Sequence, residues 1–162
     1  MSNSFEGTRL SPVCEAAVSD VVDVLLAQHD RMRTLCADVE RSGGADKRRL
    51  FAELDLLVNL HELGDRRIVH PAARDSTPSG DAIGLACMVE EGGIERAMAE
   101  LREIGVGDAT FDVKFAAVHR AITAHDAHEE RDEFPLLRLY VKPQRLHMMV
   151  GQLHDMQVMG VA

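Results

Sequence analysis

Three histidines lie where helices would place core-facing apolar residues, and two of them are followed four residues later by a carboxylate. The histidines are His29, His61 and His125, and the two acids are Asp65 and Glu129. Residues i and i+4 of an α-helix project from one face, so each pair presents a nitrogen beside an oxygen. Imidazole and carboxylate groups bind transition metals, and a carboxylate can bridge two ions. The spacing therefore predicts a metal site inside a helical bundle.

Two carboxylates at core positions need compensating charge, because an unpaired buried carboxylate is costly. The nearby basic residues Arg66, Arg67 and Arg131 lie off the apolar stripes of their helices. A bound cation is then the simplest source of positive charge for Asp65 and Glu129. The alternative is that the helices rotate slightly, which would expose the acids and leave each histidine as an ordinary core residue. Because this alternative must hold at all five positions together, we favour the metal site.

The elements that must position these side chains are long amphipathic helices, since apolar residues recur at steps of three and four. The predicted helices run from Ser19 or Asp20 to Glu40, from Asp46 to Pro71, from Asp81 to Ile104, from Thr110 to Glu133, and over a short stretch after Pro143. A proline removes a backbone donor, so Pro71 and Pro135 are expected to end or bend their helices.

This pattern predicts an all-α fold: an antiparallel up-down-up-down four-helix bundle with a short extra C-terminal helix. We expect an irregular lead-in over residues 1–17, the bundle over 18–140 and a helical tail over 141–162. No internal repeat or second domain is recognisable. The low aromatic content, 4% with no tryptophan, also favours helices over a β-sandwich.

Composition narrows the partners and the location. A net charge of −9 argues against nucleic-acid binding, which needs a clustered cationic surface. No apolar run reaches the length of a membrane span, and no signal peptide is recognisable, so we expect a cytoplasmic protein. Cys14, Cys36 and Cys87 lack the spacing of a zinc site and are interpreted as reduced thiols that pack as small apolar residues.

The strings QHDRMR, HELGDRRIVHPAAR and HDAHEERDEFPLLR occur in this order, and together they resemble the hemerythrin-like (HHE cation-binding) family over about residues 18–140. The resemblance implies a four-helix bundle around a non-haem di-iron centre with oxo or hydroxo and carboxylate bridges. By matching position it implies five metal ligands, namely His29, His61, Asp65, His125 and Glu129. Asp65 and Glu129 would be the bridging carboxylates, although the family more usually has Glu at position 65. Manganese accepts the same ligands.

The third predicted helix departs from the family, whose members usually carry a histidine there. Glu91 occupies the apolar stripe of this helix and is our predicted substitute ligand. An acidic residue near the start of a helix is also favourable without any metal, because of the helix dipole. Three further residues are candidates for the missing group: Glu90, Glu62 and His70.

His70 is a ligand or a hydrogen-bonding neighbour of the site only if its helix is distorted. It lies five residues after Asp65, which in a regular α-helix is about 140° around the axis. The following Pro71 can disturb the last turn and relax that objection. The run EERDE, apart from Glu129, is interpreted as a solvated helix face, and His128 as a residue at the rim of the site.

The leading functional hypothesis is a non-haem di-iron protein that binds or reacts with O₂, hydrogen peroxide or nitric oxide in stress defence or sensing. Oxygen carriers of the family have a more histidine-rich site than this one. Fewer imidazoles and more carboxylates would stabilise ferric iron, so we expect peroxide or oxygen chemistry, catalase- or peroxidase-like if the protein is an enzyme, over reversible carriage. One alternative is oxygen or iron binding, sensing or storage without turnover. Another is a metal-free interaction module whose core histidines respond to pH. The sequence leaves open whether the chain is a monomer or a dimer.

Overall fold

The computed structural model describes residues 19–160, and its elements are helical throughout this range. In chain order they are α1 (Val21–Arg41), α2 (Gly44–Gly64), a first π-helical turn (Asp65–Val69), α3 (His70–Arg74), α4 (Pro78–Ile104), α5 (Phe111–His128), a second π-helical turn (Glu129–Glu133), α6 (Phe134–Tyr140) and α7 (Pro143–Gly160). The predicted lead-in over residues 1–17 and Cys14 lie outside the described residues.

The first helix starts where its sequence predicts. The side chain of Asp20 accepts a hydrogen bond from the backbone N–H of Asp23, and the side chain of Asp23 accepts one from that of Asp20, both at 3.0 Å. This capping box satisfies two otherwise free donors of the first turn. At the other end Gly44 has a φ of 59°. Glycine adopts that left-handed conformation without steric cost, so the chain turns directly into α2.

The two prolines were expected to end or bend their helices, and neither ends its helix. The chain passes through a π-helical turn before each proline and continues as α3 and α6, with Pro71 and Pro135 in the first turn of the new helix. A proline is tolerated there because its missing N–H would have no partner within the helix. The π-helical turns thus shift the hydrogen-bond register just ahead of each proline.

The four long helical segments form the antiparallel bundle that the periodicity predicts, with α7 as the extra C-terminal helix. Its buried Leu146, Met149 and Leu153 pack against the α1 and α2 side of the bundle. Helix α4 continues through Gly92 and Gly93 without a break. None of the helices described is both long and apolar enough to cross a membrane. The proposed division of the chain at residues 17 and 140 stays a prediction.

Two buried apolar clusters lie at opposite ends of a band of buried polar side chains. One cluster includes Met32, Phe51 and Phe115, and the other includes Leu25 and Phe134. Along α1 and along the α5–α6 segment, the chain passes from one apolar cluster through the polar band into the other. The fold therefore holds its polar residues in the middle of the bundle, away from both ends.

Candidate metal centre

All seven residues predicted as ligands converge in this polar band, and none is more than 3% exposed. They come from every long segment of the bundle: His29 from α1, His61 from α2, Asp65 from the first π-helical turn, His70 from α3, Glu91 from α4, His125 from α5 and Glu129 from the second π-helical turn. Such convergence of side chains far apart in sequence is how helical bundles build metal sites.

The first group of donor atoms gathers around one oxygen of Glu129. His29 Nε2 lies 3.1 Å from His61 Nε2 and 3.2 Å from Glu129 Oε2. His61 Nε2 lies 2.9 Å from Asp65 Oδ2 and 3.8 Å from Glu129 Oε2. This group therefore comprises two imidazole nitrogens and two carboxylate oxygens.

The second group gathers around the other oxygen of the same carboxylate. His125 Nε2 lies 3.5 Å from Glu129 Oε1, and His70 Nε2 lies 4.0 Å from it. Glu91 Oε1 completes the group at 2.8 Å from His70 Nε2 and 3.9 Å from His125 Nε2. Because its two oxygens face different groups, the carboxylate of Glu129 lies between two adjacent clusters of donors.

Each of the four imidazoles is oriented by an acceptor on its outer nitrogen, Nδ1. These pairs are His29 with Glu130 at 2.8 Å, His61 with Gln28 at 2.9 Å, His70 with Glu133 at 2.9 Å and His125 with Glu90 at 3.0 Å. Carboxylate and amide oxygens only accept, so each Nδ1 carries the proton. In a neutral imidazole Nε2 then carries a lone pair that is directed into the centre, as in metal-binding histidines generally.

The centre has more hydrogen-bond acceptors than donors. We used this imbalance to ask whether a cation fits there. Within residues 19–160, both oxygens of Asp65 and of Glu129 and one oxygen of Glu91 are buried without a hydrogen-bond partner. Asp65 Oδ2 is close to His61 Nε2, but the directional geometry of a hydrogen bond is not met. Donors bound at about 2.1 Å to one ion lie roughly 3 Å apart, which matches the shorter distances within each group. The residues present therefore fit a pair of cations.

The electrostatics favour positive charge at the same place. Burial disfavours the charged imidazole of His61, yet the carboxylates of Asp65 and Glu129 raise its pKa well above the ordinary value. Burial likewise works against charged His70, but Glu133 and Glu91 raise its pKa to about 11. Burial would raise the pKa of Glu129, whereas the surrounding imidazoles lower it. The field of the carboxylates thus attracts protons, and it would attract a metal ion in the same way.

The position of His70 corrects the α-helical phase argument. The first π-helical turn adds a residue, and the His70 N–H donates to the carbonyl of Asp65, five residues earlier. His70 consequently lies on the same side of its segment as Asp65, with Nε2 directed into the centre. The distortion arises in the turn before Pro71, where the sequence indicates only that regular phase is easily disturbed.

Two buried acids near the centre were not predicted from the sequence. Glu133, expected on a solvated face, is fully buried and accepts from His70 Nδ1. The second π-helical turn explains this error, because it brings Glu133 round to the interior. Asp126, next to His125, is also fully buried, and Asp126 Oδ1 lies 3.9 Å from His29 Nε2. The segment EERDE is charged at every position, so its sequence does not distinguish buried from exposed residues.

Glu90 and Glu62, also considered for the missing third-helix group, lie outside the two donor groups. Glu90 faces the outer nitrogen of His125, and His128 contacts Glu90 at the rim, as expected for that histidine. Glu62 is buried and, among the described residues, its oxygens have no hydrogen-bond partner. Arg66, expected to lie away from the site, approaches Glu91 with Nε 3.7 Å from Oε2. Of the four candidates for the α4 position, the structure brings Glu91 and His70 into the donor groups.

Comparisons with known proteins agree with the helical-bundle fold. The sequence profile of the Hemerythrin HHE cation binding domain matches residues 20–137. The fold is similar to the crystal structure of a Hemerythrin HHE cation binding domain-containing protein, an Rv2633c homolog from Mycobacterium kansasii. That similarity has a TM-score of 0.76 at 15% identity and covers 88% of this chain and 90% of the other. No curated protein matches the chain in sequence.

Proposed function

Because the chain belongs to the hemerythrin HHE cation-binding domain family, we propose that its centre holds two non-haem iron ions and binds or reacts with O₂, hydrogen peroxide or nitric oxide. The first ion would be held by His29, His61, Asp65 and Glu129. The second would be held by His70, Glu91, His125 and Glu129. Manganese would suit the same ligands.

One observation carries this proposal: four imidazoles, each fixed through Nδ1, direct Nε2 toward the two oxygens of a single buried carboxylate, Glu129. That arrangement would give two ions a shared ligand. Asp65 is proposed as the second bridging carboxylate, since both of its oxygens are buried and lack hydrogen bonds within the described part of the chain. Among the thiols described, Cys36 lies among apolar side chains, away from both groups.

A bound pair of redox-active ions supplies electrons to, or withdraws them from, a small ligand such as O₂ or peroxide. The protein's own residues position the ions and set their charge environment. Carboxylates are hard ligands that stabilise the more oxidised ions, and Asp65, Glu91 and Glu129 provide three of them. This ligand set supports reaction with peroxide over reversible oxygen carriage. The burial of all the ligands limits access to small molecules.

The proposal is tested by metal content, absorption and stability measured on one preparation. We expect about two iron ions per chain and a near-ultraviolet band from an oxo-bridged pair. A ligand that binds only the folded state at 100 times its Kd stabilises by about 2.7 kcal/mol, so a chelator should lower Tm by several degrees. Protein with fewer than two ions and an unchanged Tm would instead support a metal-free helical module.

Turnover is tested separately from binding. If the centre reacts with peroxide, oxygen evolution from hydrogen peroxide should follow the iron content of the sample and disappear in His125→Ala. Iron-loaded protein that binds O₂ or nitric oxide reversibly but does not consume peroxide would favour a sensor or carrier instead. Because His125 is a proposed ligand, wild-type protein loaded to the same iron content as His125→Ala is the necessary control.

A further inference from the structure

A second layer of donor groups lies just outside the centre, between α4 and α5. Helix α4 carries Cys87 and Glu90, and α5 carries His128, three residues after the proposed ligand His125. Cys87 is fully buried, whereas the side chains of Glu90 and His128 are 39% and 19% exposed. The layer therefore extends from the interior of the bundle to the solvent.

The donor atoms of this layer are close enough to share one ion. His128 Nδ1 lies 2.9 Å from Glu90 Oε1 and 3.9 Å from Cys87 Sγ, and all three donors lie within 4.8 Å of one another. Cys87 Sγ lies equally within 4.8 Å of donors of His125 and Glu129. The thiol of Cys87 thus belongs to both layers.

We propose that Cys87, Glu90 and His128 form an outer cation site that takes a divalent transition metal from solvent and passes it to the centre. Thiolate, imidazole and carboxylate together suit borderline ions such as Zn²⁺, Co²⁺ and Fe²⁺. Binding forms metal–sulfur and metal–nitrogen bonds: the S–H proton of Cys87 leaves to water, the Nδ1 proton of His128 leaves to water while Nε2 takes up a proton, and no electron is transferred. The destination of the ion rests on the proposed function, whereas the outer site itself stands on its own residues.

The matching positions on α1 and α2 show that the bundle does not require such a layer. Gln28 holds the outer nitrogen of His61 as Glu90 holds that of His125. Four residues before His29 and three after His61, however, the chain has Leu25 and Gly64, which offer no side-chain ligand. Helix α7 packs over this side. At these matched outer positions, among the residues described, side chains that could bind a metal occur only on the α4 and α5 side.

Glu90 also connects the outer layer to the centre. One of its oxygens accepts from His128 in the outer layer, and the other accepts from Nδ1 of His125, whose Nε2 faces the centre. A cation bound by Glu90 and Cys87 would therefore be adjacent to the second donor group. Passage inward requires only that Cys87 keeps its contact while His125 and Glu129 replace His128 and Glu90.

Titration of the metal-free protein with Co²⁺ tests the outer site. We expect three Co²⁺ per chain and a thiolate-to-cobalt charge-transfer band. His128→Gln should lose the band and one ion and keep the two central ions, and Cys87→Ser should also lose the band. Cys36→Ser is the matched cysteine control and should keep the band. Glu90 is left intact because it positions His125.

Two outcomes would overturn the outer site. The first is two Co²⁺ per chain with no thiolate band, which would leave the proposed centre standing. The second is a band that survives in His128→Gln and disappears in His125→Gln, because Cys87 would then be a ligand of the centre. Fewer than two ions outside the thiolate site would instead contradict the proposed function. Circular dichroism of each variant establishes that it is folded.

The loading role is tested by the rate of metal uptake. Stopped-flow mixing with Co²⁺ follows the ions that reach the centre by their absorption in the wild type and in His128→Gln. If the outer site receives the ion first, the variant should fill the centre at least tenfold more slowly and reach the same final occupancy. An unchanged rate would show that ions enter by another route.

Discussion

The hairpin of α1 and α2 and the hairpin of α4 and α5 contribute to the centre from matching positions. His61 and Asp65 lead into the first π-helical turn, and His125 and Glu129 lead into the second at the same spacing, each turn being followed by a proline. No repeat is recognisable in the sequence, because few of the matched residues are identical. The correspondence lies in the roles and the spacing of the residues.

The two hairpins differ in where they place an imidazole. On α1 the ligand position is His29, and Phe134, which follows the second π-helical turn, stacks on it with ring centroids 5.4 Å apart. On α4 the position is Glu91, and His70, which follows the first π-helical turn, lies 2.8 Å from it. The imidazole beside the α4 position therefore comes from His70, the equivalent of Phe134, and not from α4 itself.

The hairpins also differ in their outer surfaces. Helix α7 packs over the first hairpin, where a side chain at Gly64 would collide with Leu153. The matching residue of the second hairpin is His128, which is partly exposed. At this matched position the first hairpin is covered by apolar packing, whereas the second carries a polar side chain that reaches solvent.

The largest expected effect comes from the residue that the two halves share. Glu129→Gln removes the charge between both donor groups, so metal content should fall from about two ions per chain to fewer than one. Glu133→Gln is the matched control, since Glu133 is equally buried but only orients His70. Loss of such an orienting partner typically weakens metal binding roughly 10–100-fold. Elemental analysis after dialysis distinguishes the two variants by their metal content. If Glu129→Gln retains two ions, Glu129 is not a carboxylate shared between them.

Exchanging residues between the halves gives the next largest effect. His70→Phe makes the position like Phe134 and should leave about one ion per chain, because only the second donor group loses an imidazole. Adding Glu91→His should restore the second ion, since α4 would then carry the imidazole as α1 does. Metal content and the absorption of the oxo-bridged pair are the measurements. A single variant that retains both ions would show that His70 only supports Glu91.

The two π-helical turns show how much of this structure could be predicted from the sequence. Helix periodicity was sufficient for the bundle and brought His29, His61 and His125 into one interior, because regular α-helices preserve phase. It was insufficient after Asp65 and Glu129, where π-helical turns add a residue to each turn and change the phase. His70 directly follows the first of these turns and Glu133 is the last residue of the second, so regular phase assigned both to the wrong side. A proline in the sequence predicts that the helix is disturbed nearby, but it does not predict where the backbone hydrogen bonds change from α-helical to π-helical.

A pH effect distinguishes two buried carboxyls at matched positions, Glu62 and Asp126. Burial and the charge of Glu91 raise the pKa of Glu62 to about 8, from an ordinary value of 4.5. The folded metal-free protein therefore keeps a proton that the unfolded chain releases between these values, so stability falls as pH rises through this window. Glu62→Gln should remove that fall and stabilise the chelated protein on the order of 2 kcal/mol at pH 8.

Asp126→Asn is the comparison, because burial raises the pKa of Asp126 while the imidazoles of His29, His61 and His125 oppose that shift. Denaturant unfolding of the chelated proteins at pH 5, 6.5 and 8 should therefore show a smaller change for Asp126→Asn than for Glu62→Gln. His70 contributes a separate loss of stability above pH 6.5, since its raised pKa of about 11 is common to all three proteins. If the stability of Glu62→Gln depends on pH as steeply as that of the wild type, the carboxylate of Glu62 is already charged in the folded protein.

The smallest effect concerns the surface that α7 closes. A Cβ at Gly64 would lie 2.2 Å from Leu153 Cδ1, so Gly64→Ala forces that side chain to move and should destabilise by about 1–2 kcal/mol. Gly93→Ala is the matched control on α4, where a Cβ meets nothing within 4 Å, and it should stabilise by about 0.5–1 kcal/mol through helix propensity. Thermal unfolding of both variants measures the difference. If Gly64→Ala is as stable as Gly93→Ala, α7 does not hold Leu153 against the first hairpin, and the two sides of the centre are more alike than their packing indicates.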